Sequence, residues 1–210
     1  MRRYIPALLG LTVAIGLGAT AALAQPKEFR LDRSHSYIGF EINHFGFSRT
    51  VGRFNDYSGK ILIDEADPAR SAVEVDVKTA SIDTNHEARD GHLRSADFFN
   101  VDQFPSMIFK STGIQMTGDR EGKVTGNLTL LGVTKPVTLD FFWTKDGTVP
   151  IPAYKNVRTI GFMATGQIKR SEFGMDTFVG EPIGDEVDLK INFDAVHCVG
   201  EAAQAPSCTY

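Results

Sequence analysis

The chain has 210 residues, with 22 Lys and Arg against 26 Asp and Glu, so its formal net charge is −4. An acidic protein of this kind argues against nucleic acid and against anionic lipid surfaces as partners. The length suits one domain of the barrel or sandwich type, long enough to bury its own core.

Residues 1–24 have the composition of a cleaved export signal. A basic start, MRR, precedes an apolar run rich in Ala, Leu and Gly, and residues 22–24, ALA, supply the small side chains that a signal peptidase needs. We expect cleavage after Ala24, a single mature domain of residues 25–210, a periplasmic location and no stable membrane insertion afterwards. The alternative is an N-terminal membrane anchor, which the shortness of the apolar run disfavours.

The hydrophobic residues of the remaining chain recur with a period of two, which indicates strands with one buried and one solvated face, as in antiparallel sheets. Many such strands separated by turns predict a closed barrel or a sandwich. We expect an all-β, antiparallel, lipocalin-like barrel of about eight strands, which encloses space for one small ligand. The apolar sets are Ile38, Phe40 and Ile42; Val73, Val75 and Val77; Val137, Leu139, Phe141 and Trp143; Ile160, Phe162, Ala164, Gly166 and Ile168; and Val187, Leu189, Ile191 and Phe193.

Two segments interrupt this rhythm. Residues 85–100 have looser apolar spacing and many charges, which predicts one or two short helices with Leu93, Phe98 and Phe99 as plugs. Residues 131–136, LGVTKP, join two apolar runs and predict a hairpin loop. We expect Pro136 to open the following strand, where its missing N–H does least harm.

Both cysteines, Cys198 and Cys208, lie near the end of the chain. Because an exported protein meets an oxidising compartment, we expect a disulfide that pins the tail. The alternative is two free thiols on a frayed end. Neither the cysteines nor the histidines have the spacing of a zinc or haem motif, so we expect no metal and no cofactor.

The sequence offers little for catalysis, and we expect no catalytic residue. Asp32, His35 and Ser36 have the residue types of an acid–base–nucleophile set, but they are close together on a predicted extended run. Since neighbouring residues on a strand point to opposite faces, this spacing does not provide the geometry of a triad.

Several characteristic segments are spread over nearly the whole chain after residue 25. They are DRSHSYIGFEINHFGFSRTVGRF (32–54), RDGHLRSADFFNVDQFPSMIFKS (89–111), GNLTLLGVTKPVTLDFF (126–142), IKRSEFGM (168–175) and GDEVDLKINFDAV (184–196). Together these segments resemble the YceI-like family of secreted, lipocalin-like polyisoprenoid-binding proteins. The resemblance implies a barrel that binds a long-chain isoprenoid lipid, or a related amphiphile, without enzymatic activity.

Two polar residues match motif positions of that family. His44 continues the apolar set of its strand, so parity points it inward, where it either contacts ligand or makes a structural hydrogen bond. Arg170 precedes a Phe-Gly pair and either meets a phosphate or carboxylate head group at the barrel mouth or pairs with Asp176, Glu181 or Asp185. Parity adds apolar candidates for the lining, which are Ile38, Phe40, Ile42, Val75, Leu130, Leu139, Phe141, Phe162, Ile191 and Phe193.

The resulting hypothesis is a periplasmic protein that carries or sequesters a polyisoprenoid inside its barrel. Each buried CH₂ is worth about 0.8 kcal/mol, whereas an exposed ion pair to a head group supplies about 0–1 kcal/mol, so the tail should dominate affinity. The alternatives are a stress-response or interaction module with a filled core, and a small hydrolase or isomerase for an apolar substrate. The sequence leaves open the head group, the chain length and the oligomeric state, a homodimer included.

Overall fold

The structure, a computed structural model, describes residues 25–180 and 182–209. The predicted export signal lies outside the described residues and stays a prediction. The strands and the α-helix of the described part are β1 (Lys27–Leu31), β2 (Tyr37–His44), β3 (Ser48–Phe54), β4 (Tyr57–Ile63), β5 (Ala72–Lys78), β6 (Ile82–Asp83), α1 (Glu87–Arg94), β7 (Ser106–Met116), β8 (Glu121–Leu130), β9 (Val133–Thr148), β10 (Arg158–Lys169) and β11 (Ile183–His197).

The strands close into an antiparallel barrel. Its ring runs β1-β4-β5-β7-β8-β9-β10-β11 and returns to β1 through the pairs Arg30–Val196 and Leu31–Ala195. The first part of β11 pairs with β2 instead, and β3 and β6 follow β2 in the same sheet. Strands β1 and β2 therefore lie end to end along β11, and the predicted eight-stranded antiparallel barrel is confirmed.

The alternating apolar residues also face the predicted side of the sheet. The apolar sets of β2, β5, β9, β10 and β11 face the interior, where Ile160 is fully buried and Val75 and Leu139 are nearly so. The alternate residues face solvent, and charged ladders such as Lys123–Asp140 lie on the outer wall. A sheet with one dry and one wet face gives this alternation.

The two ends of the barrel differ in what covers them. The helix end carries the β2–β3 turn (residues 45–47), the segment 84–105 with α1, the β8–β9 turn and the β10–β11 connection (residues 170–182). The tail end carries residues 64–71, 117–120 and 149–157, together with the C-terminal tail. These two names are kept below.

The segment that joins β6 to β7 forms the predicted helical plug. The His86 side chain caps α1 by accepting a hydrogen bond from the Arg89 N–H at 3.2 Å. Phe98 and Phe99 are buried, and Phe99 packs edge-on against Phe54 at 5.6 Å between ring centroids. The interpretation of residues 85–100 as one short helix with aromatic plugs is therefore confirmed.

The β8–β9 hairpin is tighter than predicted. Its turn consists of Leu131 and Gly132 with φ of 51° and 75°, and β9 already starts at Val133, opposite Leu130. Pro136 does not open the strand but lies within it, opposite Asn127. On its other side β9 pairs with β10 only from Asp140 onward, so the missing N–H of Pro136 breaks no ladder there.

The C-terminal tail folds back on the tail end in two 3₁₀ helices, Gly200–Gln204 and Pro206–Cys208. Cys198 and Cys208 form the predicted disulfide, with 5.7 Å between their Cα atoms. Ala205 is fully buried against Val157 and Val196 in a small cluster of its own. The tail is therefore a packed part of the domain.

Candidate ligand cavity

An elongated cavity of about 890 Å³ occupies the barrel interior. Its lining reaches from His86 and Phe178 at the helix end to Met116 and Arg158 at the tail end. This volume lies in the upper part of the range for small-molecule sites. All the residues predicted from parity and motif to contact ligand lie on its wall: Ile38, Phe40, Ile42, His44, Val75, Leu130, Leu139, Phe141, Phe162, Arg170, Ile191 and Phe193.

The shape of the cavity follows from the strands around it. The twelve residues of β10 rise about 3.3 Å each, and a tilt of roughly 40° gives a wall about 30 Å tall. The volume divided by this height gives a mean cross-section of about 30 Å², which is room for one hydrocarbon chain at carbon–carbon contact distances of roughly 4 Å. The cavity is long and narrow rather than compact.

Aromatic rings form much of the middle of the wall. Trp143 and Phe162 lie 5.3 Å apart between ring centroids, and Phe141 meets Phe162 edge-on at 6.2 Å. Nearer the helix end, Phe40 packs on Phe54 at 5.9 Å. Such tilted contacts hold the rings in place against one another, so the wall is rigid and apolar.

Glycines on the inner wall explain why these rings leave the centre open. Gly52 pairs with Phe40 across β2 and β3, and a Cβ on Gly52 would lie 2.3 Å from the Phe40 ring. Gly122 has the same relation to Phe141 across β8 and β9, at 2.8 Å. Each ring lies flat over a residue that has no side chain. These aromatic rings therefore line the wall of the cavity and do not fill the barrel.

Polar side chains gather where the cavity meets the helix end. His44, His86, Arg89 and His92 all line the cavity there and are exposed. The Arg89 guanidinium donates from Nε to Thr84 Oγ1 and from Nη2 to the Thr84 carbonyl oxygen, both at 2.7 Å. The polar edge of the cavity is therefore a set of bases and hydrogen-bond donors carried by β2, by α1 and by the N-cap residue of α1.

His44 belongs to this polar edge. Its position is intermediate between the two predicted alternatives, which were contact with ligand and a structural hydrogen bond. Its ring lines the cavity but is exposed, and it packs edge-on against Phe45 at 4.8 Å between ring centroids. The sequence analysis did not include His86, Arg89 or His92 among the expected ligand contacts. Their place at the mouth depends on how α1 docks on the barrel, which local patterns do not indicate.

Arg170 is buried, with 2% of its surface exposed, and its donors bind main-chain oxygens. Its guanidinium donates to the carbonyl oxygens of Met175, Thr177 and Gly184 at 2.8–2.9 Å, and of Ile183 at 3.2 Å. Burial lowers the pKa of this guanidinium, while the nearby carboxylates of Asp185 and Asp176 oppose that shift.

The expected ion pair of Arg170 with Asp176 or Asp185 is therefore corrected, whereas its contact with a ligand head group stays a prediction. Asp185 accepts instead from the backbone N–H and hydroxyl of Ser171, at 2.9 and 2.8 Å. Asp176 accepts none of the hydrogen bonds that Arg170 makes, and Glu181 lies outside the described residues. Arg170 lines the cavity, but its donors hold the β10–β11 connection in shape.

Ion pairs close the tail end. Arg158 donates to both carboxylate oxygens of Asp146, at 2.8 and 2.5 Å, and to Glu65 at 2.5 Å, and Glu65 also binds Lys27 at 2.6 Å. The hydrogen bond to Asp146, and after it the one to Glu65, raises the pKa of Arg158 against the opposing effect of burial. The hydrogen bond from Lys27 first, and the one from Arg158 second, lowers the pKa of Glu65. The charged side chains that line the cavity at this end are therefore paired within the protein.

The Asp32–His35 segment is a turn rather than the predicted extended run. His35 Nδ1 lies 3.0 Å from Asp32 Oδ2 and also 3.0 Å from Ser34 Oγ, whereas Ser36 Oγ donates to the Asp194 carbonyl oxygen. The expected separation of Asp32 and His35 is therefore wrong. In a catalytic triad one imidazole nitrogen binds the acid and the other binds the nucleophile. Here Nδ1 of His35 faces both Asp32 and Ser34, so the arrangement is not that of a triad.

Among residues 25–180 and 182–209, no group of three or more His, Cys, Asp and Glu side chains is placed to hold a metal ion. No helix within the same residues has the length and apolar character needed to cross a membrane.

Comparison with known proteins gives a consistent result. A model of the YceI-like domain matches residues 29–195. The UPF0312 protein YE1254 of Yersinia enterocolitica is 43% identical over 191 residues, which are 90% of this chain and 96% of that protein.

Solved structures share the fold. BcnA of Burkholderia cenocepacia has a TM-score of 0.68 at 24% identity and covers 78% of this chain and 98% of its own. A polyisoprenoid-binding domain of Saccharophagus degradans, implicated in plant cell wall breakdown, has a TM-score of 0.57 at 15% identity and covers 80% of this chain and 98% of its own. With the barrel, the cavity and the family model in agreement, this chain belongs to the YceI-like family.

Proposed function

We propose that this protein binds a long-chain polyisoprenoid, or a related amphiphilic lipid, inside its barrel and carries or sequesters it in the periplasm, without catalysis and without a cofactor. The observation that carries the proposal is the long, narrow, apolar cavity of about 890 Å³. Membership of the YceI-like family and a structural relative described as polyisoprenoid-binding support the choice of lipid.

The two ends of the cavity favour one orientation of the lipid. The acidic and basic groups at the tail end already satisfy each other, as the contacts of Arg158 show. The helix end offers His44, His86, Arg89 and His92, which suit a phosphate, hydroxyl or carbonyl head group. We therefore place the head group at the helix end and the tail along the barrel.

Affinity in this arrangement comes mainly from the tail. At about 0.8 kcal/mol for each buried CH₂, a five-carbon isoprene unit contributes a few kcal/mol before the cost of ordering the chain is subtracted. A head group held by exposed side chains adds about 0–1 kcal/mol. Tolerance toward different head groups is expected, with selection mainly by chain length.

Adjacent phenylalanines on β9 provide the test. Phe141 lines the cavity, whereas its neighbour Phe142 points outward and is 39% exposed. Phe141→Glu places an unpaired carboxylate where the hydrocarbon should lie, so binding of a fluorescent isoprenoid should fall at least tenfold while circular dichroism shows a folded barrel. Phe142→Glu should bind as the unaltered protein does. Equal binding by both folded variants would refute the cavity as the lipid site.

Export is the second part of the proposal. The composition of residues 1–24 supports cleavage after Ala24, and the disulfide at the tail suits an oxidising compartment. Protein from the periplasmic fraction should begin at Gln25 when its N-terminus is sequenced. Soluble protein that retains Met1 would contradict this part without touching the lipid site.

A further inference from the structure

The helix end carries an exposed aromatic surface beside the mouth of the cavity. Phe45 and Phe47 flank the β2–β3 turn and are 54% and 90% exposed, and Phe178 and Val179 in the β10–β11 connection are 54% and 37% exposed. The Phe45 N–H donates to the Pro182 carbonyl oxygen at 2.9 Å, so the two loops are joined. We call these four residues the phenylalanine rim.

Two of these aromatics occupy backbone conformations that rarely hold a bulky side chain. Phe45 has φ of 51° and is followed by Gly46 at 72°, and Phe178 has φ of 57°. Two successive positive φ values make a hairpin turn in which Asn, Asp or Gly is usual at the first position. A phenylalanine at a strained position on the surface, where burial does not compensate, points to a function for that side chain.

The phenylalanine rim is continuous with the mouth of the cavity. Phe178 both lines the cavity and reaches solvent, and His44, which also lines it, packs edge-on against Phe45. His92 of α1 lies 6.4 Å from Phe178 between ring centroids, so the helix borders the same surface. A binding partner that covers this surface, whether a membrane or another protein, would face the opening of the cavity.

We propose that the phenylalanine rim docks the barrel mouth-down on a neutral phospholipid bilayer. Phe side chains at loop tips insert readily into the interfacial region of a bilayer, and burial of apolar area drives the insertion. The acidic net charge of the chain gives no attraction to anionic lipid, so insertion rather than charge has to supply the affinity. This inference uses the proposed function only to explain why the mouth faces the lipid.

A second copy of the chain fits the rim less well. Three partly exposed phenylalanines and a valine offer at most a few hundred Å². A stable dimer needs about 800 Å² from each partner. The rim also projects from two loop tips, a convex shape that suits soft lipid better than a flat self-complementary face.

Phe47 is the side chain on which to test the proposal. It is the most exposed member of the rim and it does not line the cavity, so Phe47→Asp should leave both the fold and lipid binding in place. The matched control is Phe142→Asp on the outer wall of β9, where an arginine, Arg120, lies 5.0 Å from the ring centroid. Both variants replace an exposed Phe by the same charge.

The experiment is flotation of the disulfide-bonded protein with vesicles of phosphatidylcholine and phosphatidylethanolamine that contain no isoprenoid. We expect the unaltered protein and Phe142→Asp to float together, with little effect of salt, and the vesicle affinity of Phe47→Asp to be about tenfold weaker. Failure of the unaltered protein to bind, or equal loss in both variants, overturns the proposal. So does light scattering that shows a dimer which Phe47→Asp dissociates.

Separate titrations keep this result distinct from the proposed function. A fluorescent isoprenoid delivered from detergent micelles reports on the cavity alone, and Phe47→Asp should bind it as the unaltered protein does. Vesicle docking without isoprenoid binding would refute the cavity proposal and leave docking in place. Isoprenoid binding without vesicle docking would refute docking and leave the cavity proposal in place.

Discussion

The helix end and the tail end of the barrel close the same cavity with different chemistry. At the tail end, Arg158, Glu65 and Asp146 satisfy one another, and a disulfide holds the C-terminal tail across the neighbouring loops. At the helix end, one short helix, two loops and exposed aromatics surround the opening. The cost of opening a region depends on its packing and hydrogen bonds, so lipid exchange is expected at the helix end.

The helix end is nevertheless ordered by specific hydrogen bonds rather than loosely covered. Asp90 is buried and accepts from the backbone N–H and hydroxyl of Thr84, which fixes α1 on β6, and Arg94 donates to the carbonyl oxygens of Ala80 and Ile82. These contacts are few and local. The comparison therefore predicts that variants at the helix end alter binding or loop order as well as stability, while variants at the tail end alter stability alone.

The largest expected effect comes from Arg170→Ala at the helix end. The substitution leaves four carbonyl oxygens without their donor, two of them from Met175 and Ile183, in a largely dry site. We expect a loss of about 3 kcal/mol in the free energy of unfolding, measured by urea denaturation. Arg49→Ala is the control, since Arg49 pairs with Glu41 on the surface and should cost under about 1 kcal/mol. Similar losses in the two variants would contradict the role assigned to Arg170.

A smaller effect is expected from removal of the disulfide at the tail end. The double substitution of Cys198 and Cys208 by Ser opens a loop with a sequence separation of 10 residues near the chain terminus. Because the loop is short and terminal, we expect a loss of about 1–2 kcal/mol, less than the typical ~2–4 kcal/mol. Thermal unfolding with and without reductant measures it, and isoprenoid affinity should stay the same. A drop in affinity would show that the two ends are coupled.

Gly52→Ala tests the cavity wall near the helix end. The new Cβ would lie 2.3 Å from the Phe40 ring, which has to swing into the cavity to make room. We expect isoprenoid affinity to fall about tenfold, or roughly 1.4 kcal/mol, with a smaller change in stability. Gly113→Ala is the matched control, because a Cβ on Gly113 meets no atom within 4 Å. Unchanged affinity in Gly52→Ala would mean that ligand does not reach this part of the wall.

The smallest expected effect belongs to His35, in the bend between β1 and β2 and away from both ends. A hydrogen bond to Asp32 raises the pKa of His35, aided by the charges of Asp32 and Asp194, and burial opposes the shift. Since the folded pKa exceeds the unfolded value of about 6.5, this stabilisation is complete below that pH and disappears as pH rises through the folded pKa.

His35→Ala should therefore destabilise the protein only in mildly acidic buffer, by less than about 1 kcal/mol because the ring is half exposed. Urea denaturation over a series of pH values measures the difference from the unaltered protein. Burial raises the pKa of the nearby Asp194 and the charge of His35 opposes that shift, so His35→Ala also removes this opposing charge from Asp194. An equal loss of stability at alkaline pH would show that packing of the ring, not its charge, is what matters.

The sequence predicted the barrel because its signal is local. The alternation of Val187, Leu189, Ile191 and Phe193 fixes which face of a strand is buried, and the same parity correctly placed the apolar cavity wall. What failed involved contacts between distant segments or a local change of direction. Arg170 takes its carbonyl partners from the following loop, and the turn at Asp32 brings His35 back onto it.

The open centre of the barrel also could not be predicted from a local sequence pattern. Parity predicts that Phe40 and Phe141 point inward, but an inward ring either fills a core or lines a wall. The choice depends on Gly52 and Gly122, which lie on neighbouring strands at positions that only the register defines. The exposure of Phe47 was likewise unpredictable, because it follows a turn whose geometry depends on Phe45 and Gly46.

The way Arg170 holds the β10–β11 connection has a consequence for how such a protein can diverge. Its partners are main-chain oxygens, which every amino acid supplies, so the loop keeps its course whichever side chains it carries. Substitutions at Phe178 or Val179 can then change the chemistry around the opening without a new scaffold. One buried guanidinium thus makes the shape of the entrance independent of the side chains that surround it.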